Sequence, residues 1–350
     1  MRKITKLFLG VLASALLVLP TYAGELAVTG GAKVTYTTSG ANGSEGKSIG
    51  VSNELDFSAS GELDNGYTWS YQVQLDGAST ANDDTKLTFG TDYGTIGFYI
   101  SEGGLAQNTA HGIGAMGVGM DYSSTSTFET GYTMSGYANV QYHTPAGVLP
   151  YDAVLKVGYV PDMNDTDMIS GEGANSAIGS HATGMQLEQV SLSVTPIEGL
   201  SIAGDAATTR NETGSAGSNG IEQGVSANLG AKYTMGQFSV GYTEGGYQPA
   251  VASGEITYYE NKFYGIQFDV SDALSVSYNI DKSDKNARSA VAATGTTGTK
   301  TVTAMEQKSY QVAYTAGGAT IGLTQYKVDN ADYTAGKEET NNILSLAISF

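Results

Sequence analysis

The chain has 350 residues with no cysteine, 47 glycines and 23 tyrosines, and its formal net charge is −18. Without cysteine it can form neither a disulfide framework nor a reactive thiolate, and a chain this acidic lacks the basic surface that binds nucleic acid. Because tyrosine favours strands and glycine favours turns, the composition indicates an all-β protein.

The N-terminal segment predicts export. Three basic residues precede a short apolar run at 7–19, and residues 21–23 offer a small-residue cleavage site. We expect a cleaved signal peptide over 1–23, since the apolar run is shorter than the ~20 residues of a membrane-spanning helix. Its removal would take away three positive charges and move the net charge from −18 to −21. No linker or change of composition follows, so residues 24–350 are predicted to form one domain.

Two kinds of connection alternate along the rest of the chain. Short turns, each flanked by alternating segments as in hairpins, lie at 64–66, 92–94, 145–147, 196–199, 235–236, 271–273 and 317–318. Longer polar stretches separate them, at 37–48, 77–84, 101–136, 161–184, 207–224, 243–256, 281–304 and 327–339. Short turns at one end and long loops at the other are typical of membrane barrels. With an opening strand near 25–36 and a closing strand near 340–350, the pattern predicts about sixteen strands.

The segments between the turns each have one apolar face. In 67–75, large apolar or aromatic residues occupy the odd positions and polar residues the even ones, and 225–233 and 274–280 alternate in the same way. This period of two predicts strands with one face in lipid and one in water. Tyrosines recur at strand ends, where an aromatic girdle would meet the headgroups. We therefore predict a transmembrane antiparallel β-barrel with short periplasmic turns and long external loops.

The last residues, ILSLAISF, continue the alternation to the final side chain. Leu344, Leu346, Ile348 and Phe350 are large and apolar, and small or polar residues lie between them. In a closed barrel this strand would pair with the first strand, near 26–36, and turn these four side chains to lipid.

LTFGTDYGTIGFYI (87–100), the terminal ILSLAISF and the spacing of the whole chain resemble the general porins of Gram-negative outer membranes, especially the alphaproteobacterial type. The resemblance implies a homotrimer of sixteen-stranded barrels, each a water-filled channel for passive diffusion of small hydrophilic solutes and ions. It also implies a third loop folded inward, lipopolysaccharide as a neighbour, and a terminal aromatic residue read by the outer-membrane assembly machinery.

The long connection at 101–136 is the candidate constriction loop, with the acidic residues Glu102, Asp121 and Glu129. In the porin family such carboxylates face basic residues of the wall, usually an arginine cluster. Strand parity here turns only scattered lysines to the lumen, together with three acidic residues of the second strand, Glu54, Asp56 and Glu62. Of these, the predicted wall residues are Lys33, Glu54, Asp56, Lys86, Lys156 and Lys232. With so acidic a chain, we expect cations to be preferred over anions.

An acidic loop at 161–173 is a second candidate site. Asp162, Asp165 and Asp167 offer the oxygen ligands that Ca²⁺ prefers, although their spacing is not that of an EF-hand. A solvated acidic loop is the other interpretation, and bound divalent cations could bridge it to lipopolysaccharide. No enzyme is predicted, because the three histidines lie in separate segments and no catalytic motif accompanies them. GIGAMG (112–117) lacks the strand and helix of a nucleotide site.

Two alternatives stay open at this stage. One is a solute-specific barrel of similar size, in which a line of aromatic side chains would guide a sugar. The other is a secreted acidic β-solenoid, an adhesin or calcium-binding surface protein, which would need a fixed internal repeat.

Overall fold

The structure is a computed structural model, and it describes residues 26–41, 44–76, 84–107, 128–161, 163, 185–211, 223–250, 256–288 and 300–350. Within these ranges sixteen antiparallel strands form a closed barrel, in which each strand pairs with its neighbours in sequence and the last pairs with the first. This ring of strands excludes the β-solenoid alternative. No helix in the described ranges has the length and apolar character needed to cross a membrane.

The strands are β1 (Leu26–Ala41), β2 (Ser44–Glu62), β3 (Thr68–Asp76), β4 (Asp84–Thr91), β5 (Gly94–Ile100), β6 (Asn139–His143), β7 (Val154–Val160) and β8 (Met185–Ile197). They continue with β9 (Leu200–Asn211), β10 (Val225–Met235), β11 (Phe238–Gln248), β12 (Ile256–Asp269), β13 (Leu274–Arg288), β14 (Lys300–Ala316), β15 (Ala319–Asp329) and β16 (Glu338–Ser349). Short 3-10 turns lie at Met134–Gly136, Pro150–Asp152 and Ala331–Tyr333.

The two faces of the wall differ as the alternation predicts. On β16, Leu344 and Leu346 are 46% and 47% exposed, whereas Ile343 and Ser345 are each 2% exposed. Cross-strand partners share a face, so the register carries this distinction around the ring. The outward face is mainly apolar in its middle part, as a lipid contact requires.

Tyrosines and then charges mark one edge of the apolar outer band. Tyr242 and Tyr264 pack on the outside with ring centroids 5.1 Å apart, and Tyr278 and Tyr310 at 4.8 Å. On β13, the outward positions run from Tyr278 through Ile280 to the charged Lys282 in the direction of the long loops. This order of side chains fits an aromatic girdle between lipid and headgroups.

The predicted closure of the barrel is confirmed. The β1–β16 register runs from Gly31 opposite Ser349 to Ala41 opposite Glu339. Beyond it, the backbones of Gly30 and Phe350 exchange two hydrogen bonds of 2.9 Å. A Cβ at Gly30 would lie 2.4 Å from a backbone oxygen of β2, so only glycine fits at this seam. Phe350 itself is 65% exposed on the outside.

All seven predicted short turns join paired strands, but the lengths of the connections differ from prediction at both ends. The turn at 145–147 belongs to a longer connection between β6 and β7 that includes the 3-10 turn Pro150–Asp152. The expected loop at 37–48 is wrong, because β1 and β2 stay paired as far as Ala41 and Ser44. Beyond the lipid both faces of a strand meet water, so the alternation ends while the backbone ladder continues.

Candidate pore constriction

The first limb of the loop after β5, residues 101–107, lies inside the barrel. Asn139 Nδ2 on β6 donates to the Glu102 carbonyl at 2.9 Å, and Gln141 of the same strand donates to the carbonyl of Gly103. At the far end of the limb, the Gln107 N–H donates to Asp205 Oδ1 on β9 at 2.6 Å. These wall residues all lie on the inner face, so the limb crosses the lumen side of β6 toward β9.

The second limb, residues 128–138, begins against a more distant part of the wall. Phe128 meets Phe263 of β12 edge to face at 5.7 Å between ring centroids. Further along, the Tyr132 N–H donates to Ser226 Oγ on β10 at 3.1 Å, and Gln189 Nε2 on β8 donates to the Tyr132 carbonyl at 3.3 Å. The limb therefore returns along the inner wall from β12 toward β6.

An apolar cluster fastens the two limbs to the wall where they converge. Leu105 of the first limb and Met134 of the second are 1% and 0% exposed, and they pack with Val160 and Leu187 of β7 and β8. A Cβ on Gly158 would lie 2.3 Å from the Met134 sulfur, so the absence of a side chain there lets the second limb approach β7.

Asp205 is the polar anchor of this arrangement. It is 6% exposed and accepts three hydrogen bonds, from the Gln107 N–H at 2.6 Å, from Asn228 Nδ2 at 3.0 Å and from Gln189 Nε2 at 3.1 Å. A buried carboxylate is tolerated when donors surround it in this way. Sequence reasoning missed this residue. Its signal is a single acidic residue within a strand of small side chains, SIAGDAATT (201–209).

The two predicted loop carboxylates that the structure describes, Glu102 and Glu129, lie against different parts of the wall. Glu102 lies beside β6, where its Oε2 accepts the Gly103 N–H at 3.2 Å. Glu129 lies beside β12, where Asn261 Nδ2 donates to its carbonyl at 2.9 Å, and its side chain is exposed. Asp121 is outside the described residues.

All six predicted wall residues lie on the inner face. Lys33, Glu54 and Asp56 come from the adjacent strands β1 and β2, Lys86 is on β4 beyond β3, Lys156 is on β7 and Lys232 is on β10. Asp56 Oδ1 accepts Gln72 Nε2 at 2.7 Å and Gln74 Nε2 at 3.0 Å. Three of the six thus lie on one pair of neighbouring strands, and Lys86, Lys156 and Lys232 lie on other strands.

Carboxylates outnumber lysines on the inner face of the described strands. The carboxylates are Glu54, Asp56, Glu62, Asp84, Asp205, Asp269, Asp281 and Glu339. The lysines are Lys33, Lys86, Lys156, Lys232 and Lys285. The acidic members that sequence reasoning missed are Asp84, Asp205, Asp269, Asp281 and Glu339, and the only lysine it missed on these described strands is Lys285.

Four tyrosines from separate elements form a row inside the barrel. Ring centroids are 5.2 Å apart for Tyr132 and Tyr247, 5.7 Å for Tyr247 and Tyr259, and 5.2 Å for Tyr259 and Tyr333. The Lys285 ammonium lies 5.9 and 5.8 Å from the ring centroids of Tyr259 and Tyr333. The sequence gives no sign of this row, because its members are far apart along the chain.

Two other predicted sites have simpler outcomes. Leu344, Leu346, Ile348 and Phe350 lie on the outer face, each at least 46% exposed. The candidate calcium ligands Asp162, Asp165 and Asp167 are outside the described residues. In the part of the chain that the structure does describe, no three carboxylate or imidazole side chains cluster as a metal site.

The chain is similar to known proteins in structure only. No protein-family model matches it, and no curated protein sequence is similar. Among solved structures, the anion-selective porin from Comamonas acidovorans has a TM-score of 0.65 at 11% identity, covering 93% of this chain and 100% of its own. OmpT of Vibrio cholerae, an outer membrane protein in its trimer form, has 0.61 at 15% identity, covering 94% and 100%. A mutant of Rh. blastica porin has 0.58 at 13%, covering 93% and 100%.

The barrel has the porin fold. In this porin fold the two described limbs of the loop after β5, residues 101–107 and 128–138, lie along the inner wall, and the chain has the architecture of a bacterial outer-membrane β-barrel. Identities of 11–15% show the fold alone. The anion selectivity in the name of the Comamonas porin therefore does not transfer to this chain. The ion selectivity of this chain depends on the side chains that line its own lumen.

Proposed function

We propose that the chain is an outer-membrane porin, a water-filled channel through which small hydrophilic solutes and ions diffuse without a chemical step. The observation that carries the proposal is the course of the loop after β5. Both described limbs bond to inner-face residues, from Asn139 on β6 to Asn261 on β12. A loop held at that depth narrows the lumen, and its radius and charge would select the solutes. No enzymatic activity is proposed.

The charge of the lining supports a preference for cations. Acidic side chains outnumber lysines on the inner face, and the exposed carboxylate of Glu129 adds to them from the loop. Rings of carboxylates favour cations by stabilising them where water is scarce. Glu54 and Asp56 of β2 are the pair of wall carboxylates closest in sequence.

Conductance measurements test the channel and its selectivity together. Purified protein in a planar bilayer is expected to open water-filled channels, and a KCl gradient should give a reversal potential of cation-selective sign. The double variant E54Q/D56N should move that potential toward zero. The matched control E260Q, which removes a carboxylate from the outer face, should leave it unchanged. An anion-selective potential would overturn the cation preference, and absence of conductance would overturn the channel.

We further propose a homotrimer, with lipopolysaccharide and the assembly machinery as partners. The outward side chains of β3, β4 and β5 carry no charge, whereas those of β12, β13 and β14 include Lys262, Lys282 and Glu306. A charge-free side suits contact with another subunit, and a charged rim suits headgroups. Three equal closing steps in one conductance unit would support the trimer, and single steps would contradict it.

A solute-specific channel is the second candidate, and the row of four tyrosines favours it. Aromatic rings present flat faces on which sugar rings pack. Maltotriose added to one side should then reduce the current in a concentration-dependent way, while an absence of block would favour a general porin.

For Asp162, Asp165 and Asp167 we propose a weak Ca²⁺ site. Terbium luminescence would report it, and its loss in D165N is expected.

A further inference from the structure

The connection between β15 and β16 contains a strained turn. Asn330, Asp332 and Tyr333 have φ angles of 54°, 53° and 54°. These left-handed conformations are costly for residues with side chains, above all for a bulky one such as tyrosine. Such a turn persists only when its surroundings hold it, and clustered strain points to a function for the residue it presents.

Local hydrogen bonds hold this turn in place. The side chain of Asn330 accepts the Gly336 N–H at 2.9 Å and donates to the Ala304 carbonyl of β14 at 2.7 Å. Lys337 forms ion pairs with Asp332 and, at 3.2 Å, with Glu339. The loop is thus fixed to β14 through Ala304 and to β16 through Glu339, and these contacts hold Tyr333 in its conformation.

Tyr333 reaches from this external loop to the second limb of the constriction loop. Its hydroxyl accepts the Glu129 N–H at 3.1 Å and shares a 2.7 Å hydrogen bond with Ser283 Oγ of β13. On the other side, Asn261 of β12 donates to the Glu129 carbonyl at 2.9 Å. Both backbone groups of Glu129 are therefore bound by side chains from other elements, which fixes the peptide that carries an exposed lumen carboxylate.

We propose that Tyr333 is a positioning residue for the pore. Its hydroxyl binds the limb at Glu129 to the wall, a contact that we call the clasp. Because of the clasp, the external loop 330–337 and the second limb move together, and the charge of Glu129 stays fixed in the path of ions. The inference rests on the proposed channel function. It adds a selectivity determinant that lies outside the constriction loop itself.

The variant Y333F tests the clasp, because it keeps the ring and loses the hydroxyl. Loss of one net hydrogen bond corresponds to about a fivefold rise in the population of the released limb. Y333F should therefore close briefly about fivefold more often than the wild type, with a reversal potential nearer zero. Y151F is the matched control, since Tyr151 also has a positive φ of 61° but lies in the turn between β6 and β7.

A double variant separates positioning from general loosening. E129Q alone should lower the cation preference, and adding Y333F should then change the reversal potential no further, because the charge that the clasp positions is gone. S283A removes one partner of the hydroxyl without touching the strained turn, and it should raise the closure frequency in the same direction. If Y333F fails to assemble, S283A decides the matter.

The outcomes are distinct from those that test the channel itself. A wild-type protein without conductance would overturn the proposed function. A conducting wild type with Y333F, or S283A in its place, identical to it in closures and reversal potential would overturn the clasp and leave the channel standing. An equal effect of Y151F would also overturn it.

Discussion

Replacing Asp205 is the most direct test of how the loop is held. The side chain of Asp205 accepts the Gln107 N–H, and it also accepts hydrogen bonds from Gln189 and Asn228. D205A removes all three hydrogen bonds. D205N keeps the shape and one acceptor oxygen but removes the charge. Its amide nitrogen cannot accept a hydrogen bond, so the donors that faced the replaced oxygen lose their acceptor, either Gln189 on Oδ2 or Gln107 and Asn228 on Oδ1.

The expected magnitude follows from the docking contact. A hydrogen bond to a charged group contributes about 1.5–3 kcal/mol, so losing the 2.6 Å bond to Gln107 should destabilise the docked first limb by about 2 kcal/mol. That corresponds to about a 30-fold shift toward the released limb. D205N should give a smaller shift in the same direction, since one neutral acceptor remains.

Two measurements check this reasoning. In single-channel records, D205A should show increased open-channel noise and D205N an intermediate level. In urea titrations of protein folded into lipid vesicles, the barrel itself should lose less stability than the loop, because the strands remain paired. If D205A channels are as quiet as the wild type, Asp205 does not anchor the loop. A complete failure to fold would show that it supports the wall.

Three further predictions concern other parts of the molecule. Deleting Phe350 should lower the yield of assembled barrels while leaving the conductance of those that form unchanged, and normal yield would contradict an assembly role. G158A should displace Met134 and destabilise the docked loop by about 1–3 kcal/mol, whereas G136A, whose Cβ meets nothing within 4 Å, should be neutral. Burial raises the pKa of the Tyr333 hydroxyl from 10.0 to about 12, so its stabilising contribution is complete below pH 10 and lost through about 12. The difference in tyrosinate absorbance between wild type and Y333F should therefore appear only near the upper value.

The sequence predicts the strands of the wall well because their pattern depends only on residues that are close together in the chain. A period of two, as in Leu344, Leu346 and Ile348, assigns each side chain to lipid or lumen without reference to any distant residue. Glycine-containing turns such as 317–318 then pair neighbouring strands. The loop predicted at 37–48 is wrong because the part of a strand that extends beyond the lipid is in water on both faces. Its side chains can all be polar, so its sequence resembles that of a loop.

The interior of the pore is less predictable because its contacts are non-local. Gln107 and Asp205 are separated by 98 residues, and Glu129 and Tyr333 by 204. Parity states that Asp205 faces inward, but it cannot state which part of a long loop will meet it across the lumen. The predicted charges of the wall were therefore placed on the correct face, while the residues that hold the loop were missed.

The closed β1–β16 seam also acts as a consistency check on the whole ring. A slip of one residue between any two neighbouring strands exchanges their lipid and lumen faces. In an open sheet such an error could remain at the edge. Here Gly31 must finally meet Ser349 after every other pairing has been made, so an odd number of slips would bring a polar face of β16 against the apolar face of β1. Closure with matched faces therefore requires the slips around the ring to cancel in parity, and a barrel with a single misregistered hairpin would be left with a mismatched seam.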